Sequence, residues 1–153
     1  MRRESRERVF QTLFLMDSLR VGPDVASARF RAAVFPPDLH EEEDGPISLP
    51  PDPEYYEATL AGIWEHREAI DDLISRAAEN WRVERMTLVD RNILRLGTYE
   101  LSPGSDIPIA VAINEAVELG KRFGSEESGA FINGILDRIS DIVRKKTTAE
   151  GSA

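Results

Sequence analysis

The last long apolar stretch of the chain places Phe131, Ile132, Ile135, Leu136, Ile139, Ile142 and Val143 at steps of one, three and four residues. A period near 3.6 gathers those positions on one face, so the stretch predicts a helix that must bury a stripe against other helices. The same spacing recurs upstream. Val9, Phe10, Leu13, Phe14, Met16 and Leu19 mark a first helix from Arg3 to Arg20, stopped by Gly22-Pro23. Asp24 reads as the cap of a second helix, DVASARFRAAVF. Between Glu54 and Trp81 the pattern runs through Tyr56, Leu60, Ile63 and Trp64, then Ile70, Leu73, Ile74, Ala77 and Trp81, with EHRE at 65–68 as the bend. RVERMT predicts a short helical turn, and LVDRNILRLGTYELS and IPIAVAINEAVELGKRF predict two more helices, with Pro108 in the first turn of the latter. No convincing strand pattern appears, so the expected class is all-α, a bundle of roughly six or seven helices with mostly short connections.

Some polar or small residues sit awkwardly in these helices. Gly120 and Gly134 each cost about 1 kcal/mol relative to Ala, and close helix–helix approach is the expected compensation. Asn114 and Asn133 interrupt apolar helices and are expected to hydrogen-bond between them. The stretch KRFGSEESGAF at 121–131 reads as a helix stop fused to a helix start. Gly124 suits a left-handed stop, Ser125 an N-cap, and Glu126 and Glu127 the positive end of the next helix dipole.

Charge is distributed unevenly. The chain carries a net charge of −9, but residues 38–57 alone hold eight carboxylates and no Lys or Arg. The remaining residues are therefore close to neutral, and RRESRER at 2–8 is locally basic, with four arginines against two glutamates. Guanidinium groups pair with phosphate and stack on bases, so a local RNA contact is compatible with an acidic total. Cations are disfavoured at a helix N-terminus, which hints at a separate use for these arginines. The proline-rich acidic segment 36–53 is too polar and broken for a core element and reads as a connector.

Catalytic chemistry finds no foothold. There is no cysteine, and the two histidines are His40, in the connector, and His66, on a polar face. Neither lies three residues after a glutamate on one helix as a di-iron bundle needs, so Glu115 with Glu118 and Asp71 with Asp72 do not make up such a site. Phosphate-binding glycine motifs and a G-x-S-x-G elbow are lacking. No run of apolar residues is long enough to span a membrane. The expectation is a non-enzymatic, cofactor-free, metal-free cytoplasmic protein.

Several stretches together resemble the NusB family of transcription antitermination factors. They are RRESRERVFQTLF, VDRNILRLGTYEL, the Asp106-Ile107-Pro108 step before VAINEAVELGKRFG, and FINGILDRI. The likeness covers nearly all of residues 2–145 and is weakest in the connector. It implies about seven helices in two packed helical subbundles, roughly 2–80 and 81–146, within one domain at 1–147 followed by a disordered tail at 148–153. It also implies a role without catalysis. With NusE, the small-subunit ribosomal protein, such a factor binds single-stranded boxA RNA of ribosomal RNA operons and promotes read-through by the RNA polymerase antitermination complex. Carried over, the RNA contacts are Arg2, Arg3, Arg6, Phe14, Phe123, Glu127 and Phe131, and the NusE contacts are Glu84 and Asp90. Glu4 stands where arginine is frequent in the family, and Phe14 where tyrosine is common. Both departures imply weaker intrinsic RNA affinity and more reliance on NusE. Glu127 beside an RNA path would act as a brake as well as a helix-end charge.

Two alternatives of another class stay open at this point. One is a self-associating homodimeric scaffold. The other is an accessory RNA-binding domain of an RNA methyltransferase system, against which stands the lack of a catalytic domain in the chain.

Overall fold

The structure, a computed structural model, describes residues 2–34, 52–79 and 81–151. Among the described residues there are seven α-helices, one short 3-10 turn and no strand, as the periodicity predicts. The connector lies outside the described residues except for Asp52 and Pro53. The chain divides into two compact units, Met1–Glu65 and His66–Ala153. No helix among the described residues is long and apolar enough to cross a membrane.

The first unit holds α1 (Arg2–Leu19), α2 (Pro23–Val34) and α3 (Pro53–Glu65). Its core is the apolar stripe of α1, with Val9, Phe10, Leu13 and Met16 buried, met by Ala26 of α2 and by Tyr56, Leu60 and Ile63 of α3. One polar point ties the three helices together. The Tyr56 hydroxyl lies 2.8 Å from Thr12 Oγ1 and 3.1 Å from Ser27 Oγ. The end of α1 differs from the expected glycine–proline stop. Arg20 itself turns left-handed, at φ 57°, and Val21 N donates to Met16 O at 3.0 Å. Helix α2 then begins at Pro23, with Ala26 N donating to Gly22 O at 3.1 Å. Asp24 is therefore inside the first turn and not the cap, because proline fits the first helical position best.

The second unit holds α4 (Arg67–Ala77), the 3-10 turn Val83–Arg85, α5 (Leu88–Glu100), α6 (Ile109–Phe123) and α7 (Ser128–Gly151). Helix α3 ends at the expected bend, at His66, but α4 groups with α5 and α7, so the division falls at 65/66 instead of near 80. Polar clamps explain this grouping. Arg95 of α5 grips Asp71 of α4 bidentately, Nε to Oδ1 at 2.8 Å and Nη2 to Oδ2 at 3.0 Å. Arg138 of α7 donates from Nη1 to the Ala77 carbonyl at 3.0 Å, satisfying a helix end. Ile70 and Ile74 of α4, Ile93, Leu94 and Leu96 of α5, and Ile132, Leu136 and Ile139 of α7 are buried.

Several expectations for this unit need correction. Pro108 stands just before α6, and its carbonyl accepts from Ala112 N at 3.0 Å. A Cβ on Gly120 would come within 2.8 Å of Ile132 Cδ1, so that glycine permits close approach of α6 and α7 as expected. Gly97 does the same for α5 and α7, against Leu136 Cδ1 at 2.7 Å, whereas nothing lies within 4 Å of a Cβ on Gly134. Asn114 and Asn133 are exposed, not bridging. Among the described residues the buried asparagine is Asn92, which donates to Leu88 O at 2.8 Å and accepts from Arg95 Nη1 at 3.0 Å. Helix α7 continues to Gly151 where a disordered tail from 148 was expected, since Lys-Lys-Thr-Thr-Ala-Glu offers no breaker.

Candidate nucleic-acid interface

The basic first turn is built onto the start of α3. Asp52 is the N-cap of that helix, accepting from Tyr55 N at 3.1 Å, with Pro53 in the favoured first position. Asp52 N donates to Ser5 Oγ at 2.8 Å, which locks the cap against α1. Tyr55 then faces the arginines. The guanidinium carbons of Arg2 and Arg6 lie 5.1 and 5.5 Å from its ring centroid, within cation–π range. Arg2 Nε also lies 3.9 Å from Asp52 Oδ2, a long and solvent-exposed pair that contributes little to stability. The ring and the carboxylate offset the unfavourable placing of cations at a helix N-terminus.

The three arginines are consequently not equivalent. Arg2 and Arg3 are exposed, while Arg6 retains only 5% exposure. Arg6 supports the Tyr55 ring, and its guanidinium does not lie open on the surface. Phe14 is half-buried and meets Phe10 edge-on, with centroids 6.4 Å apart. Tyr55 has no local sequence signal, because its partners lie about fifty residues upstream across the connector; the only hint is that Arg2 and Arg6 share a helix face.

In the second unit the 124–131 corner is tied to the start of α5. Thr87 caps α5, its hydroxyl accepting from Asp90 N at 3.1 Å. The Asp90 carboxylate accepts from Ser128 Oγ at 2.7 Å, and Ser128 Oγ accepts from Ser125 N at 3.0 Å. Asp90 is thus half-buried and engaged within its own unit, whereas Glu84, in the 3-10 turn, is exposed. The corner does stop one helix and start the next, but with different parts. Gly124 is extended, at φ −98°, not left-handed. It is glycine for space, because a Cβ there would collide with Ser128 Oγ and approach Gly120 O at 2.8 Å. Ser125 does not cap α7. Glu127 precedes the helix, its carbonyl accepting from Phe131 N at 3.1 Å, and Ser128 is the first helical residue. Glu126 and Glu127 are exposed there, at the positive end of the dipole.

Phe123 and Phe131 are both half-buried. The Arg122 guanidinium carbon sits 5.2 Å from the Phe123 centroid, and Trp81 meets Phe131 at 5.5 Å and 72°. The apolar pattern predicts a core position for Trp81. The residue is instead 46% exposed.

Comparison with known proteins places these features in a family. Residues 3–141 match the model of the NusB family. Transcription antitermination protein NusB of Anaeromyxobacter sp. (strain Fw109-5) is 44% identical over 139 residues, spanning 91% of this chain and 89% of the relative. The structure of T. maritima NusB superposes with a TM-score of 0.74 at 39% identity, covering 92% of this chain and 91% of the other. A structure of antitermination factors NusB and NusE in complex with dsRNA shares the fold, with a TM-score of 0.74 at 23% identity over 92% of this chain and 96% of that one. With the match running from the arginine-bearing first turn of α1 well into α7, the chain belongs to the NusB family.

Proposed function

We propose that this chain is a transcription antitermination factor that pairs with NusE, binds single-stranded boxA RNA of ribosomal RNA operons and promotes read-through as part of an RNA polymerase complex. The observation that carries this reading is family membership over nearly the whole chain, joined to the exposed arginines of the first turn. The related NusB–NusE structure holds both a protein partner and RNA, which supports a non-catalytic, two-partner role. Within the first unit Arg2 and Arg3 are the phosphate contacts, Arg6 positions Tyr55, and Phe14 offers its open edge. Within the second, Phe123 and Phe131 are the stacking candidates, Glu127 the local brake, and Glu84 the leading NusE contact.

The test is titration of a boxA oligonucleotide, a scrambled control and an RNA duplex into the protein with and without NusE. Tight binding of boxA by the heterodimer, weaker binding by the protein alone and discrimination against the scrambled strand are expected. Equal affinity for all three RNAs would overturn the boxA assignment. Sedimentation in the same mixtures addresses self-association: a homodimer that neither NusE nor RNA dissociates would favour a scaffold.

A further inference from the structure

Trp81, Phe131, Gly134 and Arg138 enclose a surface notch of about 250 Å³ in the second unit. We infer that this notch takes one unstacked base of single-stranded RNA, its face on Trp81 and its acceptor edge toward Arg138. The inference rests on the RNA-binding reading above and gives it a base-recognition subsite.

The indole is exposed, and the Phe131 ring braces it edge-on. The main chain that carries it is anchored, with Trp81 N donating to Ala78 O at 3.1 Å and Ser75 Oγ donating to Trp81 O at 3.4 Å. A platform already fixed in place loses little freedom on binding, which favours affinity. The floor is the glycine that packing does not explain. Gly134 lies mid-helix at a cost in helix propensity, and a Cβ there would meet nothing within 4 Å. Its bareness keeps the notch open. At the rim Arg138 is exposed, and among the described residues its hydrogen bond to Ala77 O uses one of its five donors.

The chemistry of the lining selects the occupant. Among the described residues no carboxylate lines the notch, in a chain of net charge −9, and the single charged group there is a guanidinium. A flat ring with acceptors on its edge fits an aromatic wall beside fixed donors, which is how single-stranded RNA bases are commonly held. The volume is below that of a drug-sized ligand site and suits one ring system.

The experiment uses the full chain with NusE and boxA RNA, in a Trp64→Phe background that leaves Trp81 as the sole tryptophan. RNA should quench Trp81 emission. Gly134→Leu, which fills the notch at an open helical position, should lower RNA affinity on the order of tenfold, the scale of one lost stacking contact. Its thermal midpoint should not fall, and the salt slope of binding should stay unchanged because no phosphate contact is removed. Trp81→Ala should lose similar affinity. Parental RNA affinity in Gly134→Leu would overturn the inference while leaving boxA binding intact. Trp81 emission that responds fully to NusE alone, with no further change on RNA, would overturn it in favour of a protein side chain as occupant. Failure of the parent complex to bind any RNA would overturn the underlying reading and this subsite with it.

Discussion

Ser128 Oγ donates to Asp90 Oδ1 at 2.7 Å, joining the first turn of α7 to the first turn of α5. The same oxygen accepts from Ser125 N, and Ser128 is 2% exposed. Ser128→Ala removes both contacts at once. It leaves a half-buried carboxylate and a backbone amide in need of partners, at a cost of about 1–3 kcal/mol. Urea denaturation should show a lowered midpoint with an unchanged slope. A midpoint equal to that of the parent would mean that water replaces the hydroxyl and that the corner is not held by this bond.

Because Asp90 is committed to Ser128, charge reversal there would mix loss of a partner contact with loss of the corner. Glu84 separates them. It is exposed, and it is the Glu84 carbonyl, not its carboxylate, that accepts from Arg91 Nη1 at 3.3 Å. Glu84→Lys should slow association with NusE at low salt, less so at high salt, with helicity unaltered. Identical association rates at both salt concentrations would remove Glu84 from the NusE interface.

Arg2→Ala with Arg3→Ala tests the phosphate contacts. If each arginine neutralises one phosphate of a single strand, the slope of log affinity against log salt should become shallower by about 1.4, at about 0.7 per contact. Arg6→Ala is expected to behave differently. With only 5% exposure it is a support for Tyr55, so the fold should be destabilised and the salt slope should move little. An unchanged slope in the double variant would place the phosphates elsewhere.

Helix existence was legible because burial of a stripe forces a 3.6 period, and α7 comes directly from it, while the α3–α4 break at His66 was marked by the charged cluster EHRE. Which face a single polar residue takes was not legible. Asn114 and Asn133 turn outward although their neighbours are apolar, and Asn92 is buried beside charged Arg91. Caps failed by one to three residues for two reasons: proline at 23 takes the first helical position ahead of Asp24 by its own local preference, whereas Ser128 outcompetes Ser125 through a tertiary bond to Asp90. Of the candidate interface, the exposed Arg2 and Arg3 were visible as a local charge excess. Tyr55 was not, since contact with α1 requires the chain to return across the connector. Trp81 was hidden by being apolar, because periodicity cannot tell a core ring from a presented one.

Gly120 and Gly134 both interrupt helices, and the structure predicts opposite responses to alanine. At 120 the new methyl meets Ile132 Cδ1 at 2.8 Å and Gly129 N at 3.5 Å, so α6 and α7 must part or Ile132 must shift. Overpacking of this kind costs about 1–3 kcal/mol. At 134 the space is open, and alanine should stabilise α7 by up to about 1 kcal/mol. Thermal denaturation of the two single variants checks the pair. A Gly120→Ala protein as stable as the parent would show that Ile132 adopts another rotamer freely.

Glu127→Gln asks whether the carboxylate at the head of α7 restrains RNA binding. Its structural part is the main-chain carbonyl that accepts from Phe131 N, which glutamine retains. The side chain is exposed, so losing its charge at the dipole should cost no more than about 0.3–1 kcal/mol. If RNA phosphates pass this corner, removing a like charge from a solvated surface should tighten binding roughly two- to threefold at low salt, and the gain should fade as salt screens it. Fluorescence titration at two ionic strengths, alongside thermal melts, reads both quantities. Affinity that stays constant while stability drops would leave Glu127 as a helix-end charge alone, with the RNA path away from this corner.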